Sequence, residues 1–312
     1  MQNNSGIGSN TNILELVQTY LDRLFTGEAN EARAGKATAL DTSVFMQDTA
    51  SNSSVNSTVQ GGGGYFQKTT NDVPTVNQAT VTAYNAKVTR IAQFLQNLPI
   101  SRTFMADQQM SSVSKQVKEM GKSWAATRDQ NAFNVYANGF TTSTTVDGIA
   151  LFSNSHTNAN GNTVDNLETG VLSDDNLNTC VVSLRNQLSQ SGVILGYEPD
   201  FLLTPNQLHR TGTAVAKSVL RAGASNNDVN YWSEIYPEMK VVYSPFLDAV
   251  STTAYFIGAK NHGVTRFERE GFSSTLVDWQ YQANDMYLYK MRSREEVDSI
   301  YYNGLVGSNG TV

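Results

Sequence analysis

Apolar positions recur along this chain with two different periods, and the change of period marks its elements. Ile13, Leu16, Val17, Tyr20, Leu21 and Leu24 step by three and four, the spacing of one helix face. Thr11 or Asn12 is placed to cap that helix and Gly27 to stop it. A polar tail precedes it and a small-residue stretch, Ala29 to Ala39, follows, so it reads as an arm whose helix must dock on something. Thr80 to Tyr84 and Lys87 to Ile91 alternate as strands do, and Pro99 is expected to break the run. Next comes the strongest signal. Met110, Val113, Val117, Met120 and Trp124 step by three and four, Phe133 and Tyr136 extend the face, and no proline falls between Asp107 and Asn138. That predicts a helix of about 30 residues, on the order of 45 Å long, ended by Gly139, with Val113, Val117, Met120 and Trp124 turned to a core. Gly121 in its middle costs about 1 kcal/mol relative to Ala unless close packing uses it.

After a charge-poor loop, Ser173 with Asp174 and Asp175 opens a second helix reaching about Gln190. Phe201-Leu202-Leu203 reads as a short strand, then Thr204 as the cap of a helix with Pro205 first. Val241 to Pro245, Ala254 to Gly258, Val264 to Arg269, Val277 to Tyr281 and Met286 to Arg294 read as strands, with Asn284-Asp285 turning before the last. No internal repeat is present. The predicted class is α+β, one long helix and a late antiparallel sheet sharing a core.

One stretch resists this pattern. From Thr49 to Gln67 there is no charged residue, and Gly61-Gly62-Gly63-Gly64 forbids regular structure. A projecting loop or hairpin with a flexible tip is the reading; no Gly-Lys-Ser/Thr follows the glycines, as a phosphate-cradling loop would need.

Composition sharpens the picture. Only 16% of the 312 residues are charged, and Lys+Arg 22 against Asp+Glu 28 gives a net charge of −6. That sign argues against non-specific nucleic-acid binding as the main activity. Low charge with 14 Tyr and 13 Phe suits a surface largely covered by neighbours. Cys180 is the single cysteine, so no disulfide forms within the chain. No apolar run reaches the roughly 20 residues that span a bilayer, and Met1 to Gly6 has no signal-peptide character; no membrane is expected, and folding in a reducing cytoplasm is.

Candidate chemistry is thin. His156, His209 and His262 are far apart, without the close spacing of a zinc site. Asp147, His156 and Asp165 share one loop region and could be drawn as a hydrolase or metal cluster. The simpler account makes Asp147-Gly148 a turn and His156 a partner of loop backbone. Ser153 and Ser155 lie too near His156 for the usual nucleophile–base layout, and Cys180, beside Val181 and Val182, reads as a packed thiol. Glu295-Glu296 after Arg292 and Arg294 reads as a mixed-sign surface. No enzyme activity, metal or cofactor is expected.

The order of features resembles a known family. Gly121 to Asp129 runs into Asp147-Gly148-Ile149-Ala150-Leu151-Phe152-Ser153-Asn154-Ser155-His156, followed by Gly161 to Leu167, Pro199-Asp200-Phe201-Leu202-Leu203-Thr204-Pro205, Val241 to Leu247 and Arg292-Ser293-Arg294. Over about residues 105–300 this is similar to the major capsid (head) proteins of tailed phages, of the Mu-like major head subunit type with the Hong-Kong-97-type fold. The resemblance implies an N-terminal arm (1–40), an extended loop over a neighbouring subunit (41–98), a peripheral domain with the long spine helix (99–170 and 266–300), an axial domain (171–265) and a C-terminal tail (301–312). It implies hexamers and pentamers in an icosahedral or prolate shell around double-stranded DNA, with Phe45, Tyr65 and Phe66 as contacts between subunits. Portal and decoration proteins are implied partners. The family's long N-terminal scaffolding segment is missing, which points to a separate scaffold protein or a removed precursor segment, Met1 favouring the former. Another virion part, of the tail or a decoration protein, is the alternative.

Overall fold

Nineteen elements, among the residues described, turn that pattern into structure. The computed structural model describes residues 7–30, 35–61, 82–107, 110–221, 228–281 and 284–311. In chain order they are α1 (Ile7–Ala29), β1 (Met46–Thr49), β2 (Ser54–Gly61), β3 (Thr82–Arg90), β4 (Ala92–Ser101), α2 (Arg102–Ala106), α3 (Met110–Ala137), β5 (His156–Thr157), β6 (Thr163–Val164) and β7 (Leu167–Glu168). There follow α4 (Asp174–Arg185), β8 (Pro199–Pro205), α5 (His209–Lys217), α6 (Tyr231–Ile235), β9 (Lys240–Ser244), β10 (Tyr255–Ala259), β11 (Val264–Val277), β12 (Met286–Ser299) and β13 (Leu305–Ser308). They group into two compact units, one of Met1–Arg33, Ile91–Asp129 and Glu268–Glu296, the other of Ala34–Arg90, Gln130–Phe267 and Val297–Val312.

In the first unit α1 and α3 share a core with three strands. Leu21 and Phe25 of α1 and Val113 and Val117 of α3 are buried with Ile100, Leu276, Tyr289 and Met291 from the sheet. Phe25 stacks on Phe272 with centroids 4.2 Å apart, and the Asp22 carboxylate accepts from the hydroxyls of Tyr289 and Ser274. The arm helix thus docks on its own chain. It also starts earlier than its apolar face, at Ile7, and runs through Gly27, where an added Cβ would meet open space.

Strand order in the associated sheet is β1-β11-β12-β4. Pro99 does not end β4: it sits opposite Leu288 of β12, tolerated because β4 is an outer strand with one ladder edge unused. β11 runs unbroken for 14 residues, and the expected strand at Val277 to Tyr281 is replaced by a helical turn over Trp279–Tyr281. Asp285, the chain's described non-glycine residue with positive φ (51°), turns into β12, a conformation Asp accepts more readily than most.

The second unit is built on a five-stranded sheet, β7-β13-β10-β8-β9. β10 is antiparallel to β13 and β8, while β8 is parallel to β9. Its central strands β8 and β10 are buried except at Asp200 because both faces are covered, which fits the continuously apolar Phe201-Leu202-Leu203. Phe201 and Leu203 face a core with Phe133 and Tyr136 of α3, Phe152 and Phe256. Leu202, with Tyr255 and Ile257, faces a second core with Leu177, Cys180 and Leu184 of α4, Val215 of α5 and Trp232 of α6.

Helix α4 is capped as expected, Ser173 Oγ accepting from the Asn176 amide at 3.2 Å, but it stops at Arg185. Thr204 and Pro205 belong to β8 instead of a helix start. The Thr204 hydroxyl donates to the Val242 carbonyl at 3.3 Å, so tertiary pairing overrides the local capping signal.

Candidate functional site

The Asp147–His156 loop is the constellation most open to a catalytic reading, and its geometry closes it to substrate. His156 is fully buried. Its Nδ1 lies 2.7 Å from Asp147 Oδ2 and its Nε2 3.2 Å from the Leu151 carbonyl. The ring stacks on Tyr302 with centroids 4.2 Å apart. Asp147 Oδ1 accepts from the Ile149 amide at 3.1 Å and from the Thr145 hydroxyl. Burial alone would raise the Asp147 carboxyl, but the hydrogen bonds from His156, Thr145 and Ile149 outweigh it and hold the group below the usual carboxylate range. With both ring nitrogens occupied and no exposed face, His156 is a staple for the loop.

Asp165 does not join the pair. It is exposed, and its carboxylate accepts from the Leu167 amide at 2.9 Å. Among the described residues no group of three or more His, Cys, Asp or Glu is arranged to hold a metal. Cys180 is buried, its thiol pushed up to about 12 chiefly by desolvation, the reverse of what a nucleophile needs. His262 donates from Nε2 to the Ser43 carbonyl at 3.1 Å and accepts the Val264 amide on Nδ1 at 3.2 Å. Burial brings its pKa down to about 4, against a raising effect of the Ser43 hydrogen bond.

The residues expected to meet other subunits divide. Phe45 is fully buried in its own chain, edge-on to Phe133 and Tyr136 with centroids 5.2 and 5.7 Å away, so it reaches no neighbour without leaving that core. Tyr65 and Phe66 lie outside the described residues. Of the spine-helix set, Val113 and Val117 are buried, and Met120 and Trp124 are half-buried against the same core. Trp124 Nε1 donates to Ser293 Oγ at 3.0 Å, and the Arg128 guanidinium lies 4.6 Å over its ring.

The hairpin of β2 and β3 has a different character. Its strands pair antiparallel from Ser54↔Arg90 to Gly61↔Thr82. No described side chain of residues 54–58 or 86–90 belongs to any of the three cores. Its base is tied down by polar contacts: Lys87 Nζ donates to Asp298 at 2.6 Å and to the Ser299 carbonyl at 2.9 Å, and the Thr89 hydroxyl donates to the other Asp298 oxygen at 2.6 Å. The charge-free stretch reads as a loop or hairpin, and β2 pairs with β3 as one, with Gly61 inside the strand and Gly62 to Gly64 outside the described residues; the lysine anchor had no signal short of the fold.

A family model described as phage capsid protein matches residues 84–307. The chain belongs to that family. Comparison with curated proteins by sequence finds no match. The capsid protein is similar in fold to a virus-like particle protein from Pyrococcus furiosus (TM-score 0.54, 7% identity, 93% of this chain and 98% of that one). It is likewise similar to a chain of Microbacterium phage Oxtober96 (0.53, 12%, 90% and 93%) and to the capsid of cyanophage P-SCSP1u (0.52, 14%, 89% and 90%). The fold is therefore of the Hong-Kong-97 type; the match is to phage capsid proteins as a class and does not single out the Mu-like branch. As a capsid protein the chain is a structural subunit of the phage head shell, built from copies of itself in the virion, and not an enzyme.

Proposed function

We propose that the capsid protein forms hexamers and pentamers that close into an icosahedral or prolate shell around double-stranded DNA, linked by the β2–β3 hairpin within residues 41–98, which reaches over a neighbouring copy. One observation carries this: the β2–β3 hairpin contributes none of its described side chains to a core, yet Lys87 and Thr89 hold its base on Asp298. A segment anchored but unpacked is suited to pack elsewhere. Loops laid across neighbours make each contact effectively intramolecular once assembly has begun. Closed symmetry then repeats each weak contact many times. A chain of net charge −6 is suited to enclose DNA without gripping its phosphates.

In that shell residues 1–40 act as the arm, 99–170 with 266–300 as the peripheral domain, 171–265 as the axial domain and 301–312 as the tail. These are positions in a shell, so they cut across the two compact units, which group 130–170 with 171–265. One chain that must build both hexamers and pentamers needs its curvature set, a role for a separate scaffold protein; a portal at one vertex and decoration proteins outside complete the set of partners.

Deleting residues 52–64 tests the loop. Circular dichroism and melting of the isolated subunit should change little while the yield of closed particles falls sharply. Normal assembly of the deletion variant would refute the linking role, and an unfolded subunit would place the segment in the core.

A further inference from the structure

We infer that the free edge of β4 is a docking strip for β2 of a second copy, which joins the sheet there as an added strand. This rests on the reading of the β2–β3 hairpin as the part of residues 41–98 that reaches a neighbour, and names where it lands.

Among the described strands β4 is the outermost of its sheet and pairs only with β12, over ten residues from Met286↔Ser101 to Glu295↔Ala92 without a break in register. Half of its backbone N–H and C=O groups therefore point away from the sheet. Folded proteins blunt such an edge by shortening it, bulging it or placing charges on it. β4 is ten residues long and has no charged residue, and Leu95 stands 65% exposed on it. Pro99, near its end, is the one blunting device it carries.

The other described edges are managed. β1 has four residues and carries Asp48, and β7 has two and carries Glu168. β9 carries Lys240 and is bridged by Lys36 at Tyr243, and β3 carries Lys87 and Arg90. β2 alone shares the character of β4 among the described strands longer than two residues: eight residues, Ser54–Gly61, with no charge, one edge spent on β3. Among the described residues both uncharged edges are unpaired, which leaves each of them open to a strand of another copy.

The surroundings of β4 favour an uncharged strand. Beside it opens a cavity of about 290 Å³ walled by Phe25, Phe94, Trp124, Phe272 and Met291. The nearby Arg292 is already paired, its Nε 3.1 Å from Glu270. A charged edge brought here would lose water against an aromatic wall without gaining a partner. β2 brings none; Val55 is among its side chains, and backbone pairing supplies the ladder.

The test places the photocrosslinker p-benzoylphenylalanine at position 95, as a minority of copies in otherwise wild-type shells made from isotopically labelled and unlabelled subunits. Mass spectrometry should map products from position 95 to residues 54–61 of another copy, and unassembled subunits should give none. Products confined to other segments, or no product in shells, overturn the inference. In parallel, Leu95→Lys should leave subunit melting unchanged and lower shell yield by about tenfold or more; normal assembly overturns the docking strip. The two readings fail separately. If deletion of 52–64 blocks assembly while position 95 crosslinks elsewhere, only the β4 site is wrong; if the deletion variant assembles normally, the loop reading is wrong as well.

Discussion

The carbonyl oxygen of Phe25 occupies the space in which a side chain at Gly121 would begin: a Cβ there would stand 2.6 Å from it. No real contact is that short, so the missing side chain lets α1 lie directly on α3. Two effects compete in Gly121→Ala. Helix propensity would gain about 1 kcal/mol, while forcing the helices apart costs about 1–3 kcal/mol and loosens Phe25 from Phe272 and Trp124. We expect a net loss of stability, read as a lower melting temperature. A variant that melts higher than wild type would show that α1 does not pack this closely.

His262 sets a pH dependence. Its Nε2–H donates to Ser43 and its Nδ1 accepts from Val264, so the fold binds the neutral ring, and its pKa falls from 6.5 to about 4. A depressed value means that the stabilisation is complete above pH 6.5 and is lost as pH falls toward 4. The loss over that window is up to about 3 kcal/mol. His262→Gln should be less stable at neutral pH and should flatten the slope of stability between pH 6.5 and 4. Unfolding by urea at several pH values measures it; an unchanged slope would remove His262 as its source.

Much of this architecture was readable from the chain, and the failures have physical causes. The period of Val113, Val117 and Trp124 placed α3 within a few residues, since a long amphipathic pattern is hard to satisfy any other way. Thr204-Pro205 misled because a good capping pair was spent in β8, where pairing with β9 and two packed faces outweigh local preference. Pro99 misled because its effect depends on whether a strand is at an edge, which is a property of the sheet. Phe45 misled differently: an aromatic beside a charge-free stretch looks like an anchor for a neighbour, and only tertiary structure shows Phe133 and Tyr136 already around it. Asp147 and His156 were legible as a turn and a loop histidine, but Tyr302, distant in sequence, was not.

Trp124 separates packing from polar contact on the spine helix. Trp124→Phe keeps most of the ring but loses the hydrogen bond to Ser293 and weakens the Arg128 contact, costing about 1 kcal/mol. Trp124→Ala also empties the space beside Phe25 and Phe272, costing about 3 kcal/mol for a half-buried ring. Denaturant unfolding of the two variants should show that order, and equal losses would mean that the hydrogen bond dominates.

The Asp147–His156 pair is expected to matter for stability alone. His156→Gln removes the ring stacked on Tyr302 and one donor to Asp147, leaving the carboxylate with Thr145 and Ile149. Asp147→Asn removes the acceptor that orients the ring. Because the two side chains act on each other, their losses should not add: a double-mutant cycle should return a coupling of about 1–3 kcal/mol, with each single variant destabilised by at least that much. Loosening this loop would also free the Leu151 carbonyl, which Asn166 shares at 2.8 Å, so proteolysis within residues 141–166 should accelerate in both variants. Fully additive losses would mean that the 2.7 Å contact contributes nothing and that Tyr302 alone holds His156. A hydrolytic activity in the wild type that vanished in His156→Gln would overturn the assignment of this loop as structural.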